Sequence, residues 1–164
     1  MNFVEMDFAS GSGGAIDYSD LIPLIPTMTS STAPSGKVTQ SSSYSGDGGY
    51  YGFHAFDAVG RGWLPSGGSY GITSWLKYEF PDFVNVYAIV GDNWVKNNYD
   101  YTYDISVSTD DVEYTNIATI FIPKYRFGVG VVEPIRAKFI KFTLMDGSGG
   151  INSGYGNKFQ VFGK

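Results

Sequence analysis

The run Tyr99-Asp-Tyr-Thr-Tyr-Asp-Ile-Ser-Val-Ser108 constrains this chain more than any other stretch, because Tyr99, Tyr101, Tyr103, Ile105 and Val107 are apolar or aromatic and every even position is polar. Side chains of an extended strand alternate between its faces, so this strict period of two predicts a strand with one face in a core. The tyrosines are expected to pack inward, and Asp104, Ser106 and Ser108 to face water or a second layer. No catalytic chemistry lies in the run. Function is therefore expected in the loops that it holds apart.

The remaining sequence suits the same architecture. The chain has 164 residues, of which 43% are hydrophobic, 17% aromatic and 16% charged, and 22 are glycine. That balance is rich in strand and turn formers and reads as all-β. A chain of this length fits one domain and buries roughly 70% of the surface its unfolded form exposes. With a net charge of −5 it carries no electrostatic footprint for a phosphate backbone or an anionic bilayer, so nucleic acid is not an expected partner. The absence of cysteine excludes disulfides, zinc-thiolate sites and thiol nucleophiles together. Glu5 and Asp7 stand where a signal peptide carries positive charge, and no stretch approaches the roughly 18 apolar residues of a membrane helix. The expectation is a chain made in the cytoplasm, without membrane insertion, that reaches a virion or cell surface after assembly.

Residues 1–27 differ from the body. Short apolar patches (Phe3, Val4, Phe8; Leu21, Ile22, Leu24, Ile25) are separated by Gly11-Ser-Gly-Gly14, and Pro23 and Pro26 favour an extended path. This is an arm, and two readings are open: it adds an edge strand to its own body, or it docks on another chain of an assembly. The body, residues 28–164, begins with Val38–Ser43 as a first strand, a glycine-rich loop over 45–52 that presents Tyr50 and Tyr51, and a short helical turn over Phe53–Ala58. Strands then recur over Ser74–Phe80, Asn85–Val90, Tyr101–Ser108, Thr115–Phe121, Lys138–Leu144 and Lys158–Phe162, the spacing of a sandwich or barrel. Pro81-Asp82 and Thr109-Asp-Asp111 read as tight turns. Gly91–Asn98, Pro123–Gly130 and Asp146–Asn157 read as long loops. There is no internal repeat and no convincing amphipathic helix.

In this order, Ala55-Phe-Asp57, Trp63, Ser74-Trp-Leu-Lys-Tyr-Glu-Phe80, Tyr103-Asp-Ile-Ser-Val-Ser-Thr-Asp-Asp111 with Tyr114, Arg136-Ala-Lys-Phe-Ile-Lys-Phe142 and Phe159-Gln-Val-Phe-Gly163 form an ordered set. The set resembles the discoidin, or coagulation factor 5/8 type C, family, which includes the family 32 carbohydrate-binding modules, over about Val38 to Gly163. The resemblance implies an antiparallel jelly-roll β-sandwich with binding loops at one end, and non-catalytic recognition, most often of a carbohydrate. It also implies that Trp63 and Trp75 are packed.

The departures from the family pattern are specific. Leu64 follows Trp63 where galactose-binding members often have histidine, and Lys96 and Asn98 are the nearest equivalents of an arginine and an asparagine. Lysine lacks the planar fork that grips two hydroxyls at once, so a galactose-specific site is not expected. Many members hold a structural calcium through an Asp matching Asp57 and an acidic residue at the start of the last strand. Here Lys158 and Gln160 occupy that region. An ammonium opposes calcium, so no cofactor is expected, and a Lys158 side chain in the metal's place would pair with Asp57.

Sugar sites offer aromatic faces to the apolar side of a pyranose and amide or charged groups to its hydroxyls. The candidate ligand-binding residues are Trp94, Lys96, Asn98, Tyr50, Tyr51, Arg126 and Tyr155, with Trp94 foremost because turn formers surround it; Asp92 and Asn157 are further polar partners. A tyrosine-rich protein interface would look similar. His54, the single histidine, lies between Phe53 and Phe56 and reads as a packing residue. No nucleophile motif or isolated carboxylate pair supports an enzyme. The expectation is a recognition domain for a cell-surface glycan within a larger assembly such as a phage tail or virion surface. The alternative is a purely structural decoration or joining protein whose jelly roll and arm make only protein contacts.

Overall fold

The computed structural model describes residues 20–44, 49–58, 61–66, 73–93, 99–124, 126–147 and 156–164. Among them the chain forms strands β1 (Ile22–Pro23), β2 (Lys37–Gln40), β3 (Trp75–Asn93), β4 (Tyr101–Ser108), β5 (Thr115–Ile122), β6 (Phe127–Gly147) and β7 (Asn157–Gly163), with a 3-10 turn at Gly52–Ala55 between β2 and β3. Every strand pairing is antiparallel. No helix among these residues is long and apolar enough to cross a membrane.

The hydrogen-bonded order is β1-β7-β3-β6-β4-β5, with β2 on the free side of β3. The long strands β3 and β6 belong to both layers of the sandwich. The first part of β3 pairs with β2 and with the later part of β6, which in turn pairs with β4. The second part of β3 pairs with the early part of β6 and with β7, whose far side carries β1. Strands that pass from one sheet to the other through a bend are how a jelly roll turns its corners. Between the layers, the Phe159 ring of β7 stacks on Phe142 of β6 at 4.4 Å and meets Tyr103 of β4 edge-on at 5.0 Å.

Alternation explains β4 well. Tyr101, Tyr103, Ile105 and Val107 are buried, whereas Thr102, Asp104 and Ser106 are half-exposed. Ser108 departs from the expected pattern: it is buried, and its hydroxyl accepts from the Asp110 and Asp111 amides at 3.2 and 3.0 Å while donating to Asp110 Oδ1 at 3.0 Å. A serine at the start of a tight turn satisfies the turn's amides, which outweighs the strand period.

Three further readings change. Pro81-Asp82 is a bulge inside one continuous strand, since the partners run from Glu79↔Phe139 to Val84↔Ala137, five positions on β3 against two on β6. Proline is tolerated there because a bulge leaves the ladder donor unneeded, and Lys138 Nζ donates to the Pro81 carbonyl at 2.6 Å. Residues 127–130, expected as loop, are already β6. Gly128 and Gly130 lie against β5, where a Cβ at Gly128 would stand 2.1 Å from the Phe121 carbonyl oxygen, so they permit close packing of the layers. Trp75 is half-buried on the outer face, with Lys77 Nζ 5.8 Å from its ring centroid, because Leu76, Tyr78 and Phe80 take the inward positions. Trp63 is fully buried, as the family resemblance implied.

The described end of the arm lies on its own chain. Ile22 and Pro23 pair with Gly163 and Phe162, the Leu24 amide donates to the Val161 carbonyl at 2.8 Å, and Ile25 and Met28 are buried. Residues 1–19 lie outside the described residues.

Candidate glycan-recognition site

Strand register brings many chain ends to one end of the sandwich. Asn93, the last residue of β3, is opposite Asn157, the first of β7, and Asp92 is opposite Phe127, the first of β6. In the other layer Tyr101, at the start of β4, is opposite both Ile122, at the end of β5, and Gly147, at the end of β6. The segments 94–98, 123–126 and 148–155 all leave from this end. It is the end the family resemblance implied for ligand binding.

Asn93 ties together the described stretches at this end, at Tyr99, Pro123 and Arg126. Its side-chain Nδ2 donates to the Tyr99 carbonyl at 2.6 Å and the Pro123 carbonyl at 3.1 Å, and its backbone amide donates to the Arg126 carbonyl at 3.0 Å. Its neighbour Asn157 is equally buried, donates from Nδ2 to the Tyr103 hydroxyl at 2.6 Å, and exchanges backbone hydrogen bonds of 3.0 and 3.1 Å with Trp63. Burial pushes the Tyr103 phenol well up from its usual range, so it stays protonated. Gly62 has φ +78 and Gly156 has no room for a Cβ, which would stand 2.2 Å from the Trp63 carbonyl oxygen. Both glycines let the segment around Trp63 lie against the start of β7, where Trp63 and Asn157 form an isolated antiparallel bridge.

Beside Asn93 an open cleft of about 510 Å³ is lined by Asp100, Phe121, Pro123, Lys124 and Arg126. Phe121 is 55% exposed on the outer side of β5, and Lys124 and Arg126 are both exposed. Asp100 Oδ1 accepts the Lys124 amide at 2.7 Å and so fixes the turn that carries both cations. An exposed ring, a planar guanidinium, an ammonium and a carboxylate in one cleft provide an apolar platform with hydrogen-bonding groups around it.

Of the residues expected to bind ligand, Arg126 lines this cleft. Trp94, Lys96, Asn98 and Tyr155 lie outside the described residues. The expectation that the glycine-rich loop presents both of its tyrosines holds for the exposure of Tyr51, at 49%, and differs for Tyr50, at 4%. The Tyr50 ring meets Tyr44 edge-on at 5.6 Å, and Arg61 lies 5.6 Å from its centroid and donates to its hydroxyl at 3.3 Å. Asn157 serves as framework, as described above. Asp92 is half-buried; burial raises its carboxyl above the usual range, and the nearby Lys158 charge offsets this in part. Asn93 and Phe121 went unnoticed in the sequence. An asparagine among turn formers reads as loop, and the outward ring of an edge strand looks like any exposed strand residue.

The place that matches the family's calcium site holds an ammonium. Lys158 Nζ donates to Asp57 Oδ1 at 2.8 Å and to the Asp57 carbonyl at 2.9 Å, and His54 Nδ1 contacts the other carboxylate oxygen. A carboxylate and a carbonyl oxygen therefore converge on a lysine. Among the described residues no group of His, Asp or Glu could hold a metal ion. The residues present do not fit calcium, which needs several anionic oxygens and no competing cation.

No protein-family model matches the chain, and no curated protein matches it. Solved structures do. CpGH89CBM32-5 from Clostridium perfringens, in complex with GalNAc-β-1,3-galactose, superposes with a TM-score of 0.62 at 15% identity, over 77% of this chain and 94% of that one. Chitosan-binding module 1 of a chitosanase/glucanase from Paenibacillus sp. IK-5 gives 0.62 at 20% identity, over 87% and 99%. The CBM32 of AlyQ, in complex with 4,5-unsaturated mannuronic acid, gives 0.58 at 15%, over 77% and 92%. The chain thus has the discoidin-like jelly-roll fold of the family 32 carbohydrate-binding modules.

Proposed function

We propose that this chain is a non-catalytic carbohydrate-recognition module that binds glycan at the end of the sandwich where Asn93, Tyr101, Ile122, Phe127 and Asn157 meet. The observation that carries the reading is the open cleft at this end, in which exposed Phe121 stands beside Arg126, Lys124 and Asp100. The shared fold supports it, since the similar modules are described with an amino-sugar disaccharide, chitosan and a uronic acid as partners. Trp94, Lys96, Asn98 and Tyr155, which lie outside the described residues, are included in the proposal because their segments join strands whose ends lie here.

A glycan microarray probed with the wild-type chain, Trp94→Ala and Arg126→Ala tests this directly. Selective binding that either substitution weakens at least tenfold supports the site. No binding to any glycan, or identical profiles for all three proteins, overturns it.

A second reading has its own observation. Phe127, Val129 and Val131 are exposed by 54%, 37% and 43% along the outer face of early β6, a stripe suited to a protein partner in an assembly such as a virion surface. Under that reading Val129→Asp disrupts assembly and leaves the array profile unchanged.

A further inference from the structure

We propose that the cleft selects acidic saccharides, with Arg126 and Lys124 receiving the carboxylate of a uronic or sialic acid unit whose ring lies against Phe121. This inference rests on the glycan reading and names the class of sugar. Lys77, Lys158 and Lys164 each hold a carboxylate, at 2.6, 2.8 and 2.6 Å, while Arg136 and Lys141 lie over the rings of Phe83 and Tyr114 at 3.9 and 3.7 Å. Among the described residues, neither Lys124 nor Arg126 has a carboxylate within ion-pair distance, and both line the same cleft.

The surroundings sharpen the charge argument. The chain carries a net charge of −5, so two cations in one cleft, neither with a carboxylate partner among the described residues, form a local positive spot on an acidic molecule. Among the described residues lining the cleft Asp100 is the one carboxylate, and one of its oxygens already accepts the Lys124 amide. Two cations against one anion leave the cleft positive, which suits a ligand with one carboxylate per contacted unit. A guanidinium matches a carboxylate in a bidentate fork, a geometry that a neutral sugar's hydroxyl pair uses less strongly. Phe121 supplies the apolar platform for the ring, and the free side of Asp100 is an acceptor for hydroxyls.

Hydrogen bonds fix the backbone positions from which these side chains project. The three stretches that line the cleft, near residues 99–100, 121–124 and 126, are tied to Asn93 by its side-chain and backbone hydrogen bonds. A backbone held in this way limits reordering on binding to the exposed side chains, and charge complementarity then contributes to affinity as well as to association rate.

The test is calorimetric titration with tri- to hexasaccharides of galacturonate, alginate and hyaluronan and with sialyllactose, each compared with its carboxyl-reduced counterpart. Carboxyl reduction keeps the sugar skeleton and removes the charge. At least one acidic probe should bind tenfold or more tightly than its reduced form, and the preference should shrink as salt rises. Arg126→Gln should abolish the preference with an unchanged melting temperature, and Lys124→Gln should reduce it. Equal affinity for acidic and reduced forms overturns the acidic-sugar inference while leaving glycan binding intact. Binding confined to neutral sugars does the same. If no acidic, reduced or neutral saccharide binds, both readings fall.

Discussion

Replacing Lys158 with methionine is the perturbation whose size follows most directly from the structure. The Lys158 and Asp57 side chains are only 11% and 7% exposed, and the ammonium hydrogen-bonds both the carboxylate and the backbone carbonyl of Asp57. Methionine fills the volume and removes the charge, which strands a carboxylate out of water. Removing one member of a buried pair costs about 3–5 kcal/mol. His54 still contacts Asp57, so the lower end, about 3 kcal/mol, is expected. In a chain of this size each kcal/mol moves the melting temperature by about 2–4 °C, giving a fall on the order of 10 °C. Urea unfolding measures the loss as a lower midpoint at unchanged slope. Asp57→Asn combined with Lys158→Met removes the stranded charge and should recover at least half of it. Because the ammonium occupies the cation position, millimolar calcium should leave the wild-type melting curve where EDTA leaves it, whereas Lys158→Glu should be stabilised by calcium. A Lys158→Met protein within 1 kcal/mol of wild type, or a wild type stabilised by calcium, refutes the reasoning.

Asn93→Ala removes the donor to the Tyr99 and Pro123 carbonyls, and two carbonyls left without this partner should cost about 2–4 kcal/mol, read by urea unfolding, together with loss of glycan binding. Unchanged binding in a folded Asn93→Ala protein would separate the cleft from its support. Asp92 gives a pH prediction with a definite sign. Burial raises its folded pKa above the unfolded value near 3.8, more than Lys158 lowers it, so ionised Asp92 opposes folding above the folded pKa and is neutral in effect below 3.8. Asp92→Asn should therefore raise the melting temperature at pH 7 and have no effect at pH 3.5. A lower melting temperature at pH 7 would mean that the Lys158 attraction outweighs desolvation.

Much of the fold could be read from the chain because its strands carry local signals. In β4 the period of two sets the buried face as far as Val107, and β5 and β7 fall within a residue of their expected limits. The continuity of β3 and β6 was not legible. Pro81 reads as a turn and nothing marks 131–137 as strand, yet Pro81 and Pro134 each lie where the register slips: five positions against two near Pro81, and two on β3 against four on β6 between Val86↔Ile135 and Ala88↔Val131. Gly128 and Gly130 have the composition of a loop and the role of a close contact, and only the neighbouring strand distinguishes the two. At the place that matches the family's calcium site, the resemblance brought Lys158 and Asp57 together and their charges made them partners, as the structure shows. Glycines before Tyr50 make it look presented, whereas Arg61 and Tyr44, eleven and six residues away in sequence, pack against its ring. Asn93 showed no signal because its importance lies in two carbonyls, at residues 99 and 123, that no side-chain pattern marks.

The central claim is that glycan binds at one end of the sandwich. Its most direct test is a titration of the nitrogen-15-labelled chain, followed residue by residue in amide spectra, with the strongest-binding oligosaccharide of the array. Saturable shifts concentrated at Asn93, Tyr101, Phe121, Lys124, Arg126 and Asn157 are expected, with the outer-face residues Trp75, Lys77 and Phe139 unmoved. Shifts confined to that outer face, or no saturable shift with any oligosaccharide, would contradict it.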